Sequence, residues 1–287
     1  MTADRGPEEA RRSVRAPDGV EIAIFERRRR GGSPIILVHG ATADHTTWRT
    51  SGPLLAAAHR LAAIDRRGRG ASGDADPGAA YSIEREYDDL AAVASTLAAE
   101  RAGPVDVVGH SYGGRIALGA ALRSAAIRRV VCYEGAPPVP GVGYQDVDAA
   151  TLRRVETLVA AGNRDEALAT FMREIVGMPA DELEAFRSNP IWPRRATAVD
   201  TTIRELRAEV EPAAGLEALG AVRQPVLQIL GGASAAPFTA ATWALDARLR
   251  DARVVTIDGA RHAAHHTHAE AFVAAIEAFL ADPDLAD

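Results

Sequence analysis

The chain has 287 residues, with 33 basic and 39 acidic side chains, a formal charge of −6 and a single cysteine. That length can enclose one large core or two small ones. The lone Cys132 excludes an internal disulfide and a cysteine-built metal site, and the arginines, unaccompanied by any lysine and scattered except at Arg27 to Arg30, form no nucleic-acid face.

No run approaches the roughly 18 apolar residues of a membrane span. The opening residues are charged where a secretory signal would be apolar, so a cytoplasmic location is expected. Residues up to about Arg12 read as disordered. Ser13 to Ala16 and Val20 to Arg27 flank Pro17-Asp18-Gly19, a turn chemistry that closes a hairpin, and the four-arginine run reads as its solvated end. Pro34 to Val38, Leu61 to Asp65 and Val105 to Gly109 are short apolar runs closed by glycine or a charge, the pattern of strands buried on both faces. Helices are predicted over Ile83 to Arg101 and over Tyr112 to Ser124, the second rich in Gly and Ala as close packing on a sheet requires. Arg128 to Tyr133 reads as the next strand.

The rhythm then breaks. From Gly135 to about Arg223 there are prolines and amphipathic helical stretches without a strand. Pro225 to Leu230 and Val254 to Ile257 resume the strand pattern, and Phe272, Ile276, Phe279 and Leu280 put an apolar stripe on a closing helix. The alternation predicts an α/β fold: a mostly parallel, eight-stranded twisted sheet with helices on both faces, interrupted by a helical insertion. The expected division is a core in two parts, 1–138 and 224–287, with a helical cap over 139–223.

Strand Val105 to Val108 runs into Gly109-His110-Ser111-Tyr112-Gly113, and a helical run follows at once. A G-x-S-x-G motif between strand and helix has mechanical meaning: the turn is so tight that only small residues fit two positions to either side of the serine. The hydroxyl of Ser111 is lifted out of the sheet as a nucleophile, and the Tyr112 amide, at a helix start, can bind a developing oxyanion.

With this motif in place the sequence resembles the α/β-hydrolase superfamily over nearly its whole length outside the insertion. Ile36-Leu37-Val38-His39-Gly40-Ala41 looks like the strand and loop that donate the second oxyanion amide, here Ala41. Asp65-Arg66-Arg67-Gly68-Arg69-Gly70-Ala71-Ser72 resembles a structural loop of the superfamily. Gly259-Ala260-Arg261-His262 matches the loop that carries the catalytic histidine.

A serine hydroxyl needs a base, and histidine titrates in the right range. Of the eight histidines, His39 and His110 are motif neighbours with structural hydrogen bonds expected, and His45 and His59 lie outside the expected base loop, which leaves His262. His265, His266 and His268 could be a metal cluster, but no acidic or cysteine ligand supports one, and a solvated helix start is the simpler reading. No metal and no cofactor is expected.

The acid departs from the common pattern. Most of the superfamily carries an aspartate after the seventh strand; here Gly231-Gly232-Ala233-Ser234-Ala235-Ala236-Pro237 has no carboxylate, and replacing Ser234 is expected to do little. Some members, including haloalkane dehalogenases and zearalenone-type lactonases, carry the acid after the sixth strand, where this chain has Glu134. Asp258, or a Ser111/His262 dyad, are the alternatives.

The serine excludes the aspartate-nucleophile chemistry of dehalogenases and epoxide hydrolases. The resemblance implies hydrolysis of a small-molecule ester, lactone or thioester, with an acyltransferase, a perhydrolase or cofactor-free oxygenase, and a non-catalytic binding module as alternatives. Phe171, Met172 and Trp192 are candidates for an apolar substrate pocket, or for the insertion's own core. The expected partner is a small-molecule substrate, with neither nucleic acid nor membrane; a homodimer stays open.

Overall fold

The computed structural model describes residues 9–27, 34–74, 80–139, 141–142, 149–209 and 211–283. β1 (Glu9–Arg15) and β2 (Glu21–Arg27) form the hairpin, in a register running from Glu9↔Arg27 to Arg15↔Glu21. The strand thus begins at Glu9, which corrects the expectation of disorder up to Arg12. An edge strand needs backbone pairing rather than apolar side chains on both faces, and Arg12 is further tied to Glu100 at 2.7 Å and Glu26 at 3.2 Å. The end of the arginine run, from Arg28, lies outside the described residues.

β3 (Pro34–Val38), β4 (Arg60–Ile64), β5 (Val105–His110), β6 (Ile127–Tyr133), β7 (Val226–Gly231) and β8 (Ala252–Ile257) complete an eight-stranded sheet in the order β1-β2-β4-β3-β5-β6-β7-β8. β2 pairs antiparallel with β4, and every pairing from β4 onward is parallel. Alternate residues of one strand serve opposite cores, as the pleat demands. Ile36 and Val38 pack with α2 (Ile83–Arg101) and α3 (Tyr112–Ala121) on one face; Ile35 and Leu37 face Leu55 of α1 (Ser51–Leu55) and Phe272, Ile276 and Phe279 of the closing helix.

Between β6 and β7 the described residues are helical without a strand. They form α4 (Ala149–Ala160), α5 (Arg164–Thr170) running into a π-helical turn (Phe171–Ile175), α6 (Ala180–Arg187), α7 (Trp192–Thr197), α8 (Val199–Ala208) and α9 (Leu216–Leu219). Leu168, Phe171, Met172, Leu183 and Trp192 make a cluster of their own, apart from the two sheet cores. From Ala208 onward the chain rejoins the sheet, since Ala208, Ala214, Leu219 and Val222 pack into the α2/α3 side. α10 (Ala236–Asp246), α11 (Ala264–Thr267) and α12 (Ala269–Leu280) close the fold. No described helix is long and apolar enough to cross a membrane.

Candidate active site

Ser111 joins β5 to α3 at φ 54° and ψ −128°, a left-handed conformation that a non-glycine residue adopts at a cost of roughly 1–3 kcal/mol. The surroundings enforce it. A Cβ on Gly109 would lie 2.3 Å from the Gly113 carbonyl oxygen, and one on Gly113 2.4 Å from that of Val38. These absent side chains let β5 and α3 approach closely enough to set the serine at the turn's apex, with Tyr112 as the first residue of α3.

A second backbone segment closes on the same point. A Cβ on Gly40 would lie 2.9 Å from the Ser111 Cβ, so the glycine allows the Gly40–Ala41 peptide to lie against the serine. The carbonyl of that peptide accepts two hydrogen bonds, from His39 Nδ1 at 2.8 Å and from Arg66 Nη1 at 3.1 Å. His39 Nε2 in turn accepts from the Arg66 amide at 3.0 Å, which assigns the ring its Nδ1–H tautomer. Burial, followed by the nearby Arg66 guanidinium, holds His39 well below the ordinary histidine value.

His262 follows β8 and Glu134 follows β6 directly, and they meet at 2.6 Å between His262 Nδ1 and Glu134 Oε2. Glu134 stands at φ 45°, with its side chain fully buried. Its other oxygen, Oε1, accepts from the Gly231 amide at 2.7 Å and from Ser234 Oγ at 2.6 Å. Asp258, the other acid considered, makes no bond to His262 among the described residues and is exposed. The base loop is anchored from below: Tyr133 Oη donates to the Arg261 carbonyl and accepts from the Ala264 amide at 2.8 Å, and His110 Nε2 donates to the His262 carbonyl at 2.8 Å. The Phe238 ring stacks on that of His262, with centroids 4.2 Å apart.

Ser111, Ala41, Tyr112, Glu134 and His262 all line one cleft of about 620 Å³ including its mouth, whose opposite wall comes from Phe171, Ile175, Val176 and Leu206. Among the described residues Ser111 Oγ and His262 form no hydrogen bond; such contacts are often long before substrate binds. Of the three pocket candidates, Phe171 lines the cleft. Met172 and Trp192 do not: both pack in the helical cluster, and Trp192 Nε1 donates to Asp165 at 2.6 Å. Helical spacing alone marks all three as apolar and cannot say which faces inward. Phe238 escaped sequence reasoning altogether, although it stands just beyond the loop searched for an acid.

Of the histidines after His262, His265 departs from the expected solvated helix start, whereas His266 and His268 are half-buried. His265 is 2% exposed and packs beside Trp48, His110 and Phe272, and only its Nε2 finds a partner, Thr47 Oγ1 at 3.3 Å. The 3₁₀-helical turn His45–Trp48 lies against His265 and covers it. Among the described residues the one group with metal-like spacing is Asp44, His45 and Asp65. Asp65 there is already occupied, accepting from the His45 amide, from His45 Nδ1 and from the Ala71 amide at 2.7–2.8 Å, so the trio serves as a hydrogen-bonded joint between loops.

An alpha/beta hydrolase family model matches residues 35–275. Over 102 residues the chain is 37% identical to the "probable oxidoreductase EphD" of Mycobacterium tuberculosis, which covers 36% of this chain and only 17% of that protein's length. It is 26% identical over 249 residues to a pimeloyl-[acyl-carrier protein] methyl ester esterase of Neisseria meningitidis, covering 86% of this chain and 76% of the relative. Among solved structures, an alpha/beta hydrolase from Sphaerobacter thermophilus superposes with a TM-score of 0.78 at 28% identity, over 94% of this chain and all of the other. The chain belongs to the alpha/beta hydrolase family.

Proposed function

We propose that this chain is a serine hydrolase that cleaves a small-molecule carboxylic ester, lactone or thioester through an acyl-enzyme on Ser111. One observation carries the reading: the backbone-strained Ser111 shares a cleft with a histidine whose far nitrogen is held at 2.6 Å by a buried carboxylate. A hydrolytic serine needs those groups and no redox centre. The ester named for the Neisseria relative is consistent with this chemistry.

In the proposed cycle Ser111 Oγ attacks the acyl carbon while His262 Nε2 takes its proton. The carbonyl π pair moves onto oxygen, where the Ala41 and Tyr112 amides receive it. Collapse of the tetrahedral adduct breaks the bond to the leaving alcohol or thiol, which takes the proton from His262. Water then attacks the acyl-enzyme by the same route, releasing the acid and restoring Ser111. Glu134 keeps His262 in the productive tautomer and balances the imidazolium. The helices between β6 and Ala208 act as a cap and supply the substrate wall.

Incubation with a fluorophosphonate, peptide mapping by mass spectrometry and a screen of esters, lactones and thioesters test the reading. The expected result is covalent label on Ser111 and turnover of at least one substrate class, both lost in Ser111→Ala. Label elsewhere, or undiminished hydrolysis by the purified variant, overturns it.

A further inference from the structure

The Arg66 side chain is 1% exposed, and its guanidinium is fixed on every side. Nε and Nη2 donate to the two Glu86 oxygens at 2.8 Å each, Nη2 also donates to Glu205 Oε1 at 2.6 Å, and Nη1 donates to the Gly40 carbonyl at 3.1 Å. The same guanidinium lies 4.7 Å from the centre of the Tyr112 ring, whose hydroxyl is 3.0 Å from that of Tyr81, itself a donor to Glu86.

One buried cation therefore touches the peptide that carries one of the amides the proposed mechanism needs and the side chain of the residue that carries the other. The Gly40 carbonyl belongs to the peptide that carries the Ala41 N–H. A peptide whose carbonyl is held by two donors cannot swing about its axis, and its N–H becomes a stronger donor by polarisation. The second donor, His39, takes its tautomer from the Arg66 main chain. On the other side, the guanidinium packs on the Tyr112 side chain and so restrains the residue bearing the second amide.

We propose that Arg66 is the positioning residue of the oxyanion hole, holding the Ala41 and Tyr112 amides in register with Ser111. The proposal rests on the acyl-transfer reading above. Two carboxylates, one on α2 and one on α8, tether Arg66, so the placement of the helical insertion bears on the hole through Glu205. Only a planar fork can reach Glu86, Glu205 and Gly40 at once while stacking on a ring; a lysine cannot.

The second-order rate of fluorophosphonate labelling is the readout, because the phosphonyl oxygen occupies the oxyanion hole and no natural substrate is needed. Wild type, Arg66→Lys, Arg66→Met and Glu205→Gln are compared well below their unfolding temperatures, each with a pH–rate profile. Expected is at least about tenfold slower labelling in both Arg66 variants, short of the ~10²–10³ lost when an oxyanion donor is deleted. Glu205→Gln, which keeps the Glu86 pair, is expected to show a smaller loss in the same direction. The acid limb of the pH profile should not move, since the base and its carboxylate are untouched. Arg66→Met leaves buried Glu86 without its cation and Glu205 with Arg69 alone, at 2.6 Å, and can fail to fold; Arg66→Lys and Glu205→Gln then decide. Wild-type labelling rates in folded Arg66→Lys and Glu205→Gln overturn the proposal alone, whereas a wild type that takes no label at Ser111 overturns the acyl-transfer reading and the proposal with it.

Discussion

Ser234 Oγ donates to Glu134 Oε1 at 2.6 Å, from a loop that carries no carboxylate of its own. The serine steadies the carboxylate that faces His262 and has no contact with the imidazole, which revises the expectation that its replacement does little. Glu134→Gln is expected to lower kcat by about 10³-fold or more, because the amide keeps the shape but loses the balancing charge. Ser234→Ala is expected to lower it by a few-fold to about tenfold, since the Gly231 amide remains. Steady-state kinetics on one ester measures both; equal effects would contradict the assignment of the charge to Glu134.

Stability should fall in mild acid. Burial is the leading cause that holds His39, His110 and His265 well below the ordinary histidine value, so the folded chain leaves them unprotonated. The unfolded chain takes up protons at these positions below about pH 6.5. With more protons bound unfolded than folded, stability is fully present above that pH and is lost as pH drops through it, by up to about 1.4 kcal/mol per histidine between pH 7.5 and 5.5. Urea unfolding at several pH values gives the slope; burial also holds His266 down, to about 4, so four histidines contribute and His265→Leu should remove about a quarter of their share.

Two glycine-to-alanine changes should differ sharply. In Gly113→Ala the new Cβ meets the Val38 and His39 carbonyl oxygens at 2.4 and 2.5 Å, backbone atoms that cannot turn aside. A loss of at least about 3 kcal/mol, or insoluble protein, is expected. Gly103→Ala meets nothing within 4 Å and should stay within about 0.5 kcal/mol by chemical denaturation.

Phe171 and Met172 are adjacent in sequence and divided in role. Phe171→Leu should change the relative kcat/KM of short and long acyl esters several-fold, because that ring lines the cleft. Met172→Leu should leave those ratios alone and alter stability by less than about 1.5 kcal/mol, since it repacks only the helical cluster. Matching selectivity shifts in the two variants would show that the wall is drawn wrongly.

The parts legible in the sequence are those fixed by local sterics or by a period. Buried runs such as Pro34 to Val38 are strands whatever surrounds them, and Gly109 and Gly113 announce a turn that admits no side chain. The Glu134–His262 meeting could be anticipated from the resemblance, which puts an acid after the sixth strand; β6 and β8 flank β7 and run parallel to it, so their C-terminal ends open on the same edge of the sheet. What the sequence hid depends on partners far away in the chain. The polar first half of β1 is a strand because β2 pairs with it; His265 is buried because residues more than two hundred positions earlier cover it; and Arg66, whose loop the sequence marks only as structural, lies at the centre of a network drawn from four separate segments.

The Ser234–Glu134 contact also marks a path by which the acid could change strands. An aspartate at position 234 would bring a second carboxylate to the one already bonded to His262, and two such neighbours would share a proton rather than both ionise. Were that aspartate to reach His262 Nδ1, Glu134 would become dispensable. The charge could thus pass from the end of β6 to the end of β7 in two single substitutions, without displacement of the serine or the histidine, so that the two arrangements of the acid are mutational neighbours.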